Sequence, residues 1–159
     1  MDLYFIFNLL IILIISLVCS FQDIKYKLIS NWIIFTGSGL MLACNFIFQR
    51  DSLLVSLFSS IFMLLIFLLA RIRLVGKLGW GDIYFSVFIG LSLPFLYSML
   101  AILIATITAF MYILLISIIN NCKYKNKKIG DQLLLIKIPF IPFLSIGLIV
   151  SFLFKSFLF

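Results

Sequence analysis

The sequence lacks several residue types that most enzymes rely on, and it is poor in charge. It contains no histidine, and its five acidic residues are all aspartate. Charged residues make up 11% of the 159 positions and hydrophobic residues 65%. Soluble domains average about 25% charged and about 45–50% apolar residues. A compact soluble fold of this length could not hide so much apolar surface from water, so the composition excludes a soluble globular protein and predicts a membrane protein.

Cysteine is also scarce, and its spacing excludes two common kinds of small scaffold. The three cysteines, Cys19, Cys44 and Cys122, lie far apart and form no C-x-x-C pair. This pattern argues against a disulfide framework and against a zinc site. We interpret the three side chains as small apolar filler. The sequence implies no metal and no cofactor.

The apolar residues are grouped in six long runs. A bilayer core of roughly 30 Å requires about 20 apolar residues per helix, and the runs lie at about 3–22, 29–48, 52–70, 82–94, 95–119 and 133–154. The stretch 83–119 is too long for one helix, and Pro94 predicts a break near residues 92–94. The first run has no basic segment before it and no small-residue cleavage site after it, so we expect a retained helix rather than a signal peptide. The runs predict an all-α, polytopic membrane bundle of about six helices, forming one domain over residues 1–159.

The positive charge of the chain predicts its orientation in the membrane. The net charge is +7, which in a soluble protein would suggest nucleic acid as a partner. We exclude nucleic acid because the basic residues lie in short gaps between apolar runs. Nine of the twelve lysines and arginines follow the first, third and fifth runs: Lys25, Lys27, Arg71, Arg73, Lys77, Lys123, Lys125, Lys127 and Lys128. Since basic loops stay in the cytoplasm, we expect these three loops inside and both termini outside.

Two of the five acids are candidates for chemistry. Asp2 is terminal, Asp51 follows Arg50 in a short outer turn, and Asp131 follows a lysine-rich loop, so solvation accounts for all three. Asp23 ends the first predicted helix, and Asp82 begins the fourth. Two helices separate them, and two crossings return the chain to the same face of the membrane. The topology therefore places both carboxylates at the cytoplasmic end of the bundle.

A pair of carboxylates in a low dielectric suits acid–base catalysis. Both cannot ionise cheaply when they are close, so one stays protonated and the pair titrates as a unit. In an aspartic protease, the deprotonated acid draws a proton from water and the protonated one polarises the scissile carbonyl. Gly79 and Gly81 flank Trp80 just before Asp82, and glycine gives a substrate peptide room to approach and permits a positive φ. The alternative is a flexible interfacial loop anchored by Trp80.

Three motifs, in order along the chain, resemble those of the type IV prepilin peptidases, which are membrane aspartic proteases of the GxGD class. The first motif lies at residues 23–31, DIKYKLISN, the second at residues 79–82, GWGD, and the third at residues 139–144, PFIPFL. The resemblance spans the chain from the first helix to the sixth. This sequence departs from the family pattern at three positions. Ser30 replaces a proline, Tyr84 stands where many members have lysine, and Ile141 replaces the glycine of the third motif.

The resemblance implies an aspartic endopeptidase with Asp23 and Asp82 as its catalytic pair. It implies a substrate, a prepilin or prepilin-like protein, whose basic leader is cleaved at the cytoplasmic face of the cell membrane. Gly79 and Gly81 would shape the active-site loop. Longer family members insert a zinc-binding domain with paired C-x-x-C motifs and methylate the product. This chain lacks the insert, so the resemblance implies a short form without that machinery. The partners expected are the prepilin substrate and membrane lipids.

Four further residues are candidates for substrate binding or the active-site loop. Pro139 and Pro142 belong to the third motif. Lys137 precedes them and could pair with one of the acids, or extend its amine to the membrane interface. Asn31 could hydrogen-bond near Asp23, or cap the second helix.

Two other functions fit the same residues. In a proton- or cation-coupled transporter, Asp23 and Asp82 would bind the ion, since intramembrane acids line such paths. Against this, both acids are expected at one end of the bundle. A catalytically inactive homologue could instead act as an assembly factor for a pilus or secretion system, and the departures at Tyr84 and Ile141 keep this reading open.

Overall fold

A computed structural model describes residues 3–27, 29–74, 78–123 and 139–158. In these ranges the chain forms helices and no strand, which confirms the all-α fold. The helices are α1 (Leu3–Tyr26), α2 (Asn31–Phe48), α3 (Arg50–Arg73), α4 (Trp80–Ser92), α5 (Phe95–Lys123) and α6 (Ile141–Leu158). Four apolar segments are long enough to cross a membrane: Tyr4–Tyr26, Asn31–Phe48, Leu53–Arg73 and Phe95–Ile119. The other two described helices are α4, with 13 residues, and α6, with 18.

The short helix α4 lies at the centre of the bundle. Helix α1 packs against α2 and α6, α2 against α3, α3 against α5, and α5 against α6, which closes a ring of five helices. Helix α4 contacts α2, α3, α5 and α6 within that ring. Eight of its 13 residues are buried, as expected for a helix that is apolar on all sides. The position of α4, and of Asp82 at its start, is therefore set by neighbours on several sides.

Small residues allow the central helix to approach α3 closely. A Cβ atom added to Gly90 would lie 2.5 Å from the Ser60 Cα atom and 2.7 Å from its backbone nitrogen. The Ser86 hydroxyl beside this contact donates to the Ile83 carbonyl within α4, at 2.7 Å. Small side chains at helix crossings are typical of membrane bundles. The hydrophobic effect contributes little to helix association in lipid, so the helices associate through close van der Waals packing instead.

The predicted break between the fourth and fifth helices is confirmed. Helix α4 ends at Ser92, and α5 begins at Phe95. Leu93 adopts an extended conformation, φ −131° and ψ 144°, as the residue before a proline generally does. Its N–H still bonds to the Ile89 carbonyl at 3.0 Å, and the Ser98 N–H bonds to the Pro94 carbonyl. These two bonds connect the turn to the helices on either side of it.

The sixth helix begins later than expected. The sequence predicted a helix over 133–154, whereas α6 spans Ile141–Leu158. Pro139 and Phe140 are described and are not helical, and residues 133–138 lie outside the described ranges. The Phe140 carbonyl accepts the N–H groups of Phe143 and Leu144 at 3.1 and 3.2 Å, so Phe140 caps the helix. A proline within the first turn is favourable there, because the first N–H groups of a helix have no partner in the helix itself.

Candidate active site

One end of the bundle brings the three motifs together. Helix α1 ends there with Asp23 in its last turns, and α2, α4 and α6 begin there. We call it the aspartate end. Contacts between motifs fix this arrangement: the Ile141 N–H at the start of α6 reaches Asp23, and Gly81 at the start of α4 faces the Ile29 side chain before α2. The structure thus places Asp23 and Asp82 at the same end, as the parity of the crossings predicts.

The Asp23 carboxylate is buried, with 8% of the residue exposed, and is held by the start of α6. Its Oδ2 atom accepts a hydrogen bond from the Ile141 N–H at 3.0 Å, and the Phe140 backbone makes a second one. The local sequence explains this geometry. Pro142 has no N–H, and the Phe143 N–H is bonded to the Phe140 carbonyl, which leaves the Ile141 N–H to point at the acid.

Asp82 is the third residue of α4 and turns back onto its own helix start. Its Oδ2 atom accepts the N–H of Gly79, the N-cap residue, at 3.2 Å, which is half of a capping box. Gly79 has φ −68°, so it is not needed for a left-handed backbone. A Cβ atom there would lie 3.2 Å from the Asp82 Oδ2 atom, and one on Gly81 would collide with the Ile29 side chain. Both glycines therefore provide space, and the expectation that they permit a positive φ is wrong.

The two carboxylates interact electrostatically. Asp82 lies in the first turn of α4, outside the four membrane-spanning segments. Burial raises the pKa of Asp82 from 3.8 to about 6, and the negative charge of Asp23 adds to that increase. The Gly79 hydrogen bond acts in the opposite direction. The charge of Asp23 therefore favours the protonated form of Asp82, as a neighbouring like charge does.

The surroundings of the two acids differ. Asp23 lies near the C-terminal end of α1, whose partial negative charge disfavours a carboxylate by about 0.3–1 kcal/mol. Two backbone hydrogen bonds from the α6 start oppose this, and a hydrogen bond to a charged group contributes about 1.5–3 kcal/mol. Asp82 gains from the N-terminus of its own helix but accepts a single, longer bond, at 3.2 Å. These backbone contacts favour the charged form of Asp23 more than that of Asp82, while burial disfavours the charged form of both acids.

We expect the substitution Asp23→Asn to lower the pKa of Asp82, because it removes the neighbouring negative charge. The pKa should stay above its ordinary value, since burial is the larger cause of the increase. The measurement is a ¹³C NMR titration of protein labelled at aspartate carboxyl carbons, with the signal of Asp82 assigned from Asp82→Asn. Asp51→Asn, at the start of α3 on the opposite end, is the matched control. An unchanged Asp82 titration in Asp23→Asn would mean that the acids do not meet.

The loop before Asp82 is held by an arginine from α3. Arg71 donates a hydrogen bond from Nη1 to the Leu78 carbonyl, and its guanidinium carbon lies 4.2 Å from the centre of the Trp80 ring. Trp80 in turn stacks on Tyr84 at 6.2 Å, and Tyr84 contacts Phe35 of α2 at 5.1 Å. These contacts tie the Gly-Trp-Gly-Asp loop to both α3 and α2.

We expect Arg71→Ala to loosen this loop and destabilise the protein by about 1–2 kcal/mol, the combined size of an exposed cation–π contact and one hydrogen bond. Acrylamide quenching of Trp80 fluorescence should increase, because one face of the ring loses its cover. The experiment uses a Trp32→Phe background, since the chain has two tryptophans. Arg73→Ala, two residues along the same helix and exposed, is the control. Equal quenching in both variants would contradict a role for Arg71.

Of the other predicted site residues, two lie beside Asp23, one lies at the start of α2 without a hydrogen bond to Asp23, and one is not described. Pro139 and Pro142 flank the α6 start that contacts Asp23. Asn31 is the first residue of α2 and is exposed, and Ser30 occupies the N-cap position. No hydrogen bond joins Asn31 to Asp23 in the described part of the chain. Lys137 lies outside the described residues.

Sequence reasoning missed three groups that organise the site. These are the Ile141 backbone N–H, the Arg71 guanidinium, and Gln22, whose Oε1 atom accepts the Ser30 N–H at 3.1 Å. The side chains of Arg71 and Gln22 bond to backbone groups, and Ile141 contributes only its backbone N–H. None of these contacts can be identified from the residue types in the sequence. Within the described residues, no three histidine, cysteine, aspartate or glutamate side chains form a group that could hold a metal ion.

Comparison with known proteins identifies the family. No curated protein and no solved structure matches the chain. A family model described as the type IV leader peptidase family matches residues 10–114, which is more than half of the chain. The matched range contains Asp23, Asp82 and both glycines of the loop, and it ends before the third motif. The chain belongs to the type IV leader peptidase family.

Proposed function

We propose that the protein is an aspartic endopeptidase that removes the basic leader peptide of a prepilin or prepilin-like protein. Asp23 and Asp82 would be its catalytic pair, acting at the cytoplasmic face of the cell membrane. Family membership supports leader peptidase activity in general terms. We infer the aspartic mechanism from the two acids, the prepilin substrate from the family resemblance, and the side of cleavage from the basic residues at the aspartate end.

The observation that carries the proposal is the electrostatic coupling of two buried or partly buried acids at the aspartate end. One acid with a pKa raised to about 6 by burial and by its neighbour's charge can carry a proton near neutral pH. The other, in contact with the α6 start, can accept one. Pairs of acids whose environments separate their protonation states in this way are typical of aspartic proteases.

The position of the site supports access by a substrate that is itself a membrane protein. The described basic residues Lys25, Lys27, Arg71 and Arg73 lie at the aspartate end, which favours the cytoplasmic side for that end. A substrate helix could lie beside the bundle in the lipid, with its leader at the same depth as the acids. The basic residues would repel a basic leader, and anionic lipid head groups would neutralise part of that repulsion.

The test is cleavage of a purified prepilin by the purified protein in detergent, with the product identified by mass spectrometry. We expect one cut, between the leader and the hydrophobic helix of the substrate. A metal chelator should leave the rate unchanged if the two acids supply all of the acid–base chemistry. An intact prepilin after prolonged incubation with folded protein would contradict the proposal.

A further inference from the structure

We propose that the backbone N–H of Ile141 is a positioning group that fixes the division of roles between the two acids. It holds Asp23 as the carboxylate that takes a proton from water, and so leaves Asp82 as the acid that gives a proton to the scissile carbonyl. The inference rests on the proposed peptidase function and goes beyond it, because a symmetric pair of acids would leave the roles open.

The geometry at the start of α6 carries the inference. The N–H of Ile141 reaches the Asp23 Oδ2 atom at 3.0 Å in a buried setting. Because Pro142 lacks an N–H and the Phe143 N–H is bonded to Phe140, the first turn of α6 directs this donor outward to the acid. An amide N–H can only donate, so it stabilises a carboxylate oxygen that accepts.

The other ionisable groups near Asp23 do not supply an alternative partner. On the same helix end, Lys25 and Lys27 follow Asp23, but both are exposed and neither forms an ion pair with it in the described part of the chain. Cys19 is buried one turn away, and a thiol there brings no positive charge. Facing it from α4 is Asp82, a second acid. At the start of α6, the described residues that contact Asp23 are Phe140, just before the helix, and Ile141, and neither ionises. The backbone donors of α6 are therefore the favourable contacts that the described structure gives to a charged Asp23.

The departure at residue 141 does not remove this donor. The family pattern has glycine where this chain has isoleucine, but the group that contacts Asp23 belongs to the backbone, which both residues share. The Ile141 side chain is fully buried and packs in the core of the bundle with Leu144 and Leu148. The substitution thus adds apolar contacts that hold the α6 start in place while it keeps the hydrogen bond.

The reaction then balances with one assigned role for each acid. Asp23 takes a proton from water as the water oxygen bonds to the carbonyl carbon, and Asp82 gives its proton to the carbonyl oxygen. A tetrahedral gem-diol forms. In the second step Asp23 passes its proton to the amide nitrogen, the C–N bond breaks, and Asp82 regains a proton from one of the two hydroxyl groups. The products are a carboxylic acid and an amine, and both acids return to their starting states.

The variant Ile141→Pro removes the donor and leaves the helix intact in principle, since proline is well tolerated at the first position of a helix. Ile141→Val is the matched control, because it keeps the N–H and has a side chain close in size to proline. In kcat/KM against pH, we expect the acidic limb for Ile141→Pro to move upward by about one to two pH units, the size expected when a charged group loses one hydrogen bond. Ile141→Val should change the height of the profile and not its position. An identical acidic limb in the two variants would overturn the inference.

A second measurement does not depend on activity or on the variant folding. With ¹³C-labelled aspartate, the five acids of the chain give five carboxyl signals, assigned from Asn variants. As the pH is lowered, we expect the wild-type signal of Asp82 to change to the shift of a carboxylic acid before that of Asp23 does. The reverse pattern would overturn the inference even if prepilin is cleaved. Failure of wild-type protein to cleave prepilin would contradict the proposed function instead.

Discussion

Asp23→Asn and Asp82→Asn are each expected to reduce prepilin cleavage by at least about 10³-fold, because general acid–base catalysis by a positioned group contributes about 10²–10⁴-fold and each step needs both acids. Asparagine has nearly the same shape as aspartate but neither takes nor gives a proton at neutral pH. The loss should appear in kcat, since the acids act on the reacting atoms. The measurement is the initial rate of cleavage of a purified prepilin, with protein level and helical content compared by circular dichroism.

A matched acid at the other end of the bundle provides the control for this prediction. Asp51 follows Arg50 at the start of α3, at the end away from Asp23, and Asp51→Asn should cleave at the wild-type rate. Substantial cleavage by either Asp23→Asn or Asp82→Asn would refute the catalytic pair. Folded wild-type protein that cleaves nothing would favour the inactive assembly factor, and aspartate-dependent ion flux in proteoliposomes would favour the transporter.

Much of the fold could be predicted because the bilayer allows few solutions. Apolar runs of about 20 residues must become helices, because lipid offers backbone N–H and C=O groups no hydrogen-bond partner. One run is long enough for two helices, and Pro94 marks the boundary between them. The parity of the crossings then places Asp23 and Asp82 at the same end without any knowledge of distances. The structure agrees on each of these points, including the turn between Ser92 and Phe95.

The start of α6 could not be predicted from hydropathy. Residues 133–138 are nearly all apolar, and hydropathy therefore predicted a helix that begins at residue 133. What the pattern could not supply is the consequence: with Phe140 as the cap, the Ile141 N–H points at Asp23. This hydrogen bond joins a backbone N–H to a side chain 118 positions away. Because every residue except proline has a backbone N–H, the residue types in the sequence could not predict it.

The loop before Asp82 illustrates a second limit of sequence reasoning. The two glycines correctly indicated a place where atoms come close together, but the expectation that they allow a positive φ was wrong. Gly79 has an ordinary negative φ, and at each glycine an added Cβ atom would lie close to a side chain, that of Asp82 or that of Ile29. Composition can show that space is required, whereas the identity of the neighbour that needs the space comes from packing.

The same reasoning identifies two glycines at helix crossings, of which Gly90 affects the placement of α4 and hence of Asp82. At Gly90 the atoms nearest to an added Cβ belong to the backbone of Ser59 and Ser60 in α3, at 2.5–2.9 Å. At Gly147 of α6 an added Cβ would collide with the Ala101 carbonyl of α5 and lie 3.2 Å from the Ala105 nitrogen. A backbone cannot rotate away as a flexible side chain can, so helices must separate to admit the methyl group.

We therefore expect Gly90→Ala and Gly147→Ala each to destabilise the bundle by about 2–3 kcal/mol, toward the upper end of the usual range for overpacking. Gly90→Ala should also reduce cleavage, because α4 carries Asp82 and must move away from α3. Gly39→Ala is the control: it lies in α2 with nothing within 4 Å of the added atom, and alanine there should be neutral or stabilise by up to about 1 kcal/mol. The measurement is unfolding by sodium dodecyl sulfate, followed by circular dichroism. Equal stability of the Gly39 and Gly90 variants would show that α3 and α4 do not touch through their backbones, and the position assigned to Asp82 would then lose its main support.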